Sequence, residues 1–577
     1  MAQQPRQMRQ WLLIRSSQPE NVYGRFAGEI LKSEGFNGFD LVDLDAESLP
    51  ELTADDVAIL TRCFLHKAEI EQLLAMVRNG ARLICLQPSW TLAAQLGWKS
   101  RKRVTYPGWI DIAEGYPGSG TPIQAHVPIA EYDPPDQNAT YTIAARAVRS
   151  DWTNADCPAA VVQSVGRGKI ALFFYDLPEA VARIRFGNPD LASHLTSGQW
   201  GWPHASDLFD GHVDERVINL PQADFHGQFL AKVLTDIAAH PQPRLWYYPD
   251  AAQRSAAVFQ SDGDLSEPQQ FAALSDCLLQ HRGAGTFYLM AQTKLTPSCV
   301  ADLRAKGHTF GPHVFGVDGE DDLYFRFPQR LDEETQRFKQ RFGEPSRTIQ
   351  CHYAPWMGYM NWLADHVRHG YRLLFAYLSI PPQRLNTYMC GSGRPIRFYD
   401  RDGTTYPCWQ QPVISYDDSS LAELMGNNPA PLLEKFEANL QASINRTHSA
   451  FGILSHPVSF CTYSRPYMEA CFDRLTAEGV PICNGDQWCD HLERRDAVRV
   501  RTLVNDDNSL TCIVSNLTGR QTLMIPLATG HAPQLDGATR VRRLEQDYLF
   551  IPLEGDGSEI HLNIPVAPKA ATQGPST

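Results

Sequence analysis

Two carboxylates one glycine apart, Asp262 and Asp264 in FQSDGD (Phe259 to Asp264), stand just beyond a short apolar run. Two histidines, His308 and His313 in GHTFGPH (Gly307 to His313), follow after a further apolar segment. Carboxylate oxygens and neutral imidazole nitrogens are what a divalent cation takes as ligands, and a catalytic site keeps one position open for water. A second carboxylate beside such a site can act on that water as general base. Taken alone, a DGD triplet is also an ordinary turn, with Gly supplying positive φ and the Asp side chains bonding local amides.

The flanking elements decide between these readings. AAVF (Ala256 to Phe259) reads as a buried parallel strand, and the site residues of such sheets lie past the strand's C-terminal end. GTFYLMAQ (Gly285 to Gln292) reads as the next strand, and CVADLRAKGH (Cys299 to His308) as a helix closed by Gly307. TFGPH then reads as a third strand that delivers His313 to the same sheet edge as Asp264. GILSHPV (Gly452 to Val458) is an apolar strand ending at His456, and TIQCH ends at His352.

FQSDGD, the TFYL strand and LRAKGHTFGPH together resemble the polysaccharide deacetylase family, the NodB-homology or carbohydrate esterase family 4 group. The resemblance covers the middle of the chain. It implies a distorted (β/α) barrel over residues 244–495 and an Asp-His-His metal site that hydrolyses N-acetyl groups from amino sugars. It also implies Asp262 as base, Asp264 and His313 as ligands, and His456 as the acid that protonates the leaving amine; the structural alternative for His456 is a core or turn histidine before Pro457. The second metal histidine of the family falls at Val317, which cannot bind metal, so His352 in TIQCHYAPWMGY (Thr348 to Tyr359) is expected to complete the set. His308 is its competitor, with capping of carbonyls near Gly307 as its alternative work. The family's third-motif arginine is missing, with Ala354 and Pro355 near its place and Arg347 close in sequence. Trp356 is a candidate aromatic wall for a sugar or acetyl group, or a core residue. The implied cation is zinc first, with nickel, cobalt or iron also suited to this ligand set.

The rest of the chain frames this centre. Its 577 residues suggest several domains, and the net charge of −13 with a pI of about 5.8 argues against nucleic acid or an anionic membrane surface as partner, while the resemblance implies a carbohydrate substrate. No run approaches a membrane span, and WLLI is too short for a signal-peptide core. Thirteen cysteines without paired spacing are expected to be reduced, which favours the cytoplasm. Residues 1–243 alternate strands with helices, as in a doubly wound, flavodoxin-like α/β domain. DVAILTRCFLHKAEIEQLLAMVRNGARLICLQP resembles class I glutamine amidotransferase-like domains, but Cys85 lacks the flanking glycines of a nucleophile turn, so this domain is expected to be degenerate and non-catalytic. Asp176 could line a pocket or cap the helix after Pro178. Leu195 to Asp214 is expected to be a long loop of lid type. Residues 241–253 link to the barrel, 496–566 alternate as a small β-sandwich that could bind sugar or brace the barrel, and 567–577 are expected to be disordered. Two readings of the whole remain, a metal-dependent amide hydrolase and a non-catalytic carbohydrate-binding scaffold built from decayed enzyme domains.

Overall fold

The computed structural model describes residues 5–136, 139–192, 203–314, 323–379, 384–417, 428–527 and 535–565. The apolar runs of the N-terminal region become the parallel half of a nine-stranded sheet. Its order begins Asp40–Asp43, Gln10–Ile14, Val57–Leu60, Arg82–Leu86 and Gly168–Phe173, all parallel. Helices Phe26–Ser33 and Lys67–Arg78 supply the crossovers that parallel pairing requires.

The doubly wound expectation holds for this half alone. From Gly168–Phe173 the sheet continues antiparallel through Asn154–Val165, Tyr141–Val148, Trp109–Ile112 and Ile123–Gln124. The physical reason is local: Val165 pairs with Gly168 across a two-residue turn, with Gly166 at φ +58°, and such a turn can only reverse the chain. Asp176 caps the helix Leu177–Phe186 by accepting from the Glu179 amide. Cys85 is fully buried inside its strand, and the turn after that strand is made by Gln87 at φ +54°. The left-handed turn position thus carries no nucleophile.

The central region does not close into a hydrogen-bonded barrel among the described residues. Ala257–Asp262 lies in the middle of an open sheet, between Thr286–Leu289 and Phe451–Ser455, with Thr309–Pro312 and Val413–Tyr416 at the edges and Ile482–Cys483 also pairing with it. Thr348–Ile349, Leu373–Leu374, Thr405–Gln410 and Ile396–Tyr399 form a second sheet. The sheets meet at both ends through isolated bonds: Ser346 N to Phe310 O and His352 N to Val314 O at one, the Leu378–Val413 bridge at the other. The ring stays interrupted where Thr348–Ile349 passes Thr309–Pro312, an edge strand whose last residue, Pro312, has no amide to donate.

The C-terminal strands form two four-stranded sheets, and each recruits a strand from elsewhere. Arg6–Met8 pairs with Arg499–Val504, and Arg244–Leu245 pairs with Thr518–Pro526. At the junction, buried Glu34 accepts from Arg244 (3.1 Å), Arg394 (2.8 Å) and Tyr247 (2.7 Å). One apolar core runs from the N-terminal sheet into the second central sheet, through Phe26, Phe186, Trp356, Tyr377 and Phe398. No described helix is long and apolar enough to cross a membrane. Residues 567–577 lie outside the described residues.

Candidate active site and metal centre

Two parallel strands deliver the first residues of the site at their C-terminal ends, where parallel sheets present side chains that pairing does not use. Asp262 ends Ala257–Asp262, and His313 follows Thr309–Pro312 directly. Between Asp262 and Asp264 the chain must pass close to the next strand. Gly263 donates to the Tyr288 carbonyl, and a Cβ there would stand 2.7 Å from that oxygen and 2.9 Å from Phe271, so only glycine fits. The turn continues with Asp264 at φ +40°, which swings its carboxylate back toward His313.

Asp264 Oδ1 stands 3.4 Å from His313 Nε2 and 3.9 Å from His352 Nε2. One ligand-type atom from each of Asp264, His313 and His352 lies within 4.8 Å of the others. The His313 ring is set by its second nitrogen: Nδ1–H donates to the Gln350 carbonyl at 2.8 Å, which leaves the Nε2 lone pair for the site. Asp264 Oδ1 and His313 Nε2 are buried without a hydrogen-bond partner. Buried polar atoms are seldom left so, and three convergent donors of this chemistry fit a first-row divalent cation.

Electrostatics separates the two carboxylates. Burial raises the Asp262 pKa to about 6 although His313 and His456 act against it. Burial also works against the Asp264 charge, yet His313, His456 and His352 bring its pKa down to about 2. For His352, burial and then the neighbouring His313 lower the pKa to about 3, which keeps the imidazole neutral. Burial opposes the His313 cation too, but Asp262 and Asp264 outweigh it and its pKa rises.

His456 faces the same cavity from Phe451–Ser455. Its Nδ1–H donates to Asp417 Oδ1 at 3.0 Å and its backbone amide to the same oxygen at 2.8 Å. Asp417 also accepts from the Ser455 hydroxyl at 2.7 Å and from Ser464. Against its burial, this carboxylate, with Asp264 and Asp262, raises the His456 pKa to about 10. The cavity measures about 460 Å³ and is walled by Asp262, Asp264, His352, His456, Tyr353, Tyr416 and Tyr463, among others.

No family model matches the chain, and no curated protein does. The structure is similar to that of Agd3, a carbohydrate deacetylase, at 10% identity over 96% of this chain and 98% of that one, with a TM-score of 0.43. Two further similarities are partial. The polysaccharide deacetylase Bc1974 from Bacillus cereus matches 41% of this chain and all of its own, at 15% identity and a TM-score of 0.27. The peptidoglycan deacetylase PdaC from Bacillus subtilis, solved as a mutant, matches 43% of this chain and 96% of its own, at 14% identity and a TM-score of 0.27.

Asp262, Asp264, His313, His352 and His456 thus come together. Val317 lies outside the described residues. His308 is turned away from the centre: it bonds the Ser275 hydroxyl at 2.8 Å and accepts from the Gly285 amide at 3.1 Å, so it caps no carbonyl. Arg347 does not line the cavity either. It lies at the N-terminal end of Thr348–Ile349, opposite the site end, and its guanidinium pairs with Glu493 at 2.6 Å and with Asp490. Trp356 is buried to 1% exposure, donates to the Tyr359 carbonyl at 2.7 Å and packs on Tyr377 and Phe398, which makes it core rather than cavity wall. Asp417 is the residue that sequence reading missed. Its signal was available in VISYDD (Val413 to Asp418), an apolar run ending in carboxylates like that of Asp262.

Proposed function

We propose that this protein is a metal-dependent hydrolase that removes N-acetyl or related acyl groups from an amino-sugar polymer or oligosaccharide. The observation that carries the reading is the convergence of Asp264, His313 and His352, with orphaned Asp264 Oδ1 and His313 Nε2, beside Asp262 and the Asp417-held His456. Asp264, His313 and His352 would hold the cation, with zinc first and nickel, cobalt or iron as the other candidates. When bound, such a cation polarises the acyl carbonyl and acidifies its water.

Asp262, with its pKa near the working range, takes the proton from the attacking water. The C–O bond to the acyl carbon forms as the C–N bond breaks. His456, held protonated by Asp417, gives its proton to the departing nitrogen, and the products are a carboxylate and a free amine. The cavity rings of Tyr353, Tyr416 and Tyr463 supply the flat apolar faces on which a sugar ring packs. A reducing, cytoplasmic setting is part of the proposal, supported by thirteen unpaired cysteines of which ten are buried.

The test is metal analysis of purified protein together with acetate release from N-acetylated amino-sugar oligosaccharides. Bound metal lost on His313→Ala, with acetate release abolished by chelation and restored by added zinc or cobalt, is the expected result. Protein that carries and binds no first-row divalent metal would overturn the reading and return the chain to a binding role.

A further inference from the structure

We propose that the N-terminal region's segment around His204 is a positioning element of the active site, holding the loop that carries His352, Tyr353 and Ala354 in its working conformation. The proposal rests on the reading of Asp264, His313 and His352 as the metal centre.

The loop in question is conformationally costly. Tyr353 and Ala354 are successive non-glycine residues at φ +59° and +45°, directly after His352. Left-handed backbone at two such residues persists only where the surroundings over-determine it. On the His352 side the His352 amide donates to the Val314 carbonyl. On the other side the anchor comes from a segment over a hundred positions earlier in the chain. His204 forms an antiparallel bridge with Pro355, and the Trp356 amide donates to the Pro203 carbonyl at 2.8 Å. The His204 ring faces the Tyr353 backbone carbonyl, and burial keeps the imidazole neutral.

The anchor is itself rigid. His204 is 1% exposed and opens the short helix Ala205–Phe209, its amide donating to Asp207 Oδ2 at 2.8 Å. Leu208 O accepts from the Asn188 amide at 2.8 Å, and Leu208 lies so close to Gly187 that a Cβ there would stand 2.6 Å from it. The segment is thereby tied to the end of the helix Leu177–Phe186. Phe209 meets Tyr377, and Tyr377 packs on Trp356, so the same segment also backs the loop's far end. Since His352, Tyr353 and Ala354 all wall the cavity, loosening this anchor displaces a metal ligand and the adjoining wall together. His204 belongs neither to the ligand set nor to the cavity wall; it acts through the loop, as partners outside a ligand shell do.

The experiment compares wild type with His204→Phe, which keeps a ring but removes its nitrogens, and with His204→Gln, which restores a donor. Asp207→Asn, which loosens the turn without changing volume, is the milder second probe. Cobalt(II) titration followed by its visible absorption, zinc affinity by chelator competition, and hydrogen exchange of the metal-free proteins are the readouts. His204→Phe and Asp207→Asn are expected to bind cobalt and zinc about tenfold more weakly, with an altered cobalt spectrum and faster exchange confined to residues 351–358, and His204→Gln to recover most of it. Folded His204→Phe with wild-type affinity, spectrum and exchange overturns the proposal. Should His204→Phe not fold, a wild-type result for Asp207→Asn overturns it. A wild type that binds neither metal overturns the hydrolase reading instead, and exchange in the metal-free proteins then decides the positioning role by itself.

Discussion

Asp417→Asn is expected to move the pH at which His456 stops serving as an acid. In the folded protein the imidazole is buried, which favours its neutral form, yet Asp417 and the two site aspartates raise its pKa from 6.5 to about 10. Asp417 Oδ1 stands 3.0 Å from Nδ1, and an opposite charge at such range shifts a pKa by roughly 1–3 units. Asn leaves an acceptor but removes the charge, so a shift of about 2 units brings the midpoint to about 8. The expected loss relative to wild type is then about twofold at pH 8 and about tenfold at pH 9, with little change below pH 7. The sign for stability agrees: a histidine whose folded pKa is raised contributes fully below pH 6.5 and loses that contribution as pH rises through about 10. Wild type should therefore lose more stability than Asp417→Asn across that window. The assays are kcat/KM against pH on an N-acetylated amino-sugar oligosaccharide, nitrogen-15 NMR titration of His456, and denaturant unfolding from pH 6 to 10. A uniform loss of rate with an unmoved basic limb, or a wild-type His456 that titrates near 6.5, would refute the role given to Asp417.

The remaining expectations follow from the same geometry. Asp264→Asn should abolish metal binding, whereas Asp262→Asn should keep metal, read by plasma emission analysis, and lose about 10²–10⁴ in turnover; the reverse pattern exchanges the two roles. Gly263→Ala should cost about 1–3 kcal/mol in denaturant unfolding and weaken metal binding, because its Cβ meets the Tyr288 carbonyl and Phe271; wild-type stability would show that the turn gives way. Trp356→Ala should cost about 3–5 kcal/mol in denaturant unfolding as a core truncation, since the ring packs on Tyr377 and Phe398. Arg347→Ala should leave metal content and KM unchanged and cost at most about 1 kcal/mol, as partly exposed ion pairs do.

Asp262, Asp264, His313 and His456 were legible because each sits where an apolar run ends, and the C-terminal edge of a parallel sheet gathers such residues regardless of how the strands are ordered. The Asp176 cap was legible for a similar reason: an acidic residue before Leu-Pro-Glu acts on amides within its own turn. Composition and alternation likewise foretold a mixed α/β chain with an all-β end, since periods of two residues and of helical length are local properties.

Pairing across the chain is not local, and there the tertiary structure decided. Arg6–Met8 and Arg244–Leu245 are too short to announce a partner, yet both complete C-terminal sheets because open edges there accept backbone of any sequence. The antiparallel half of the N-terminal sheet and the interrupted ring of the central region were set by turn length and by an edge strand ending in proline, which hydropathy does not distinguish from a strand paired on both sides. Arg347 and Trp356 carried the right chemistry for a site, but a guanidinium or an indole serves an ion pair or a core equally well, and only the packing direction selects. Asp417 and His456 meet across 39 positions, and His204 reaches the His352 loop from a distant segment that lies outside every strand. The chain supplied the chemically able residues by their types; which of them share one cavity depended on strand order and loop anchoring, because distances between side chains on separate elements are set by packing and not by spacing along the sequence.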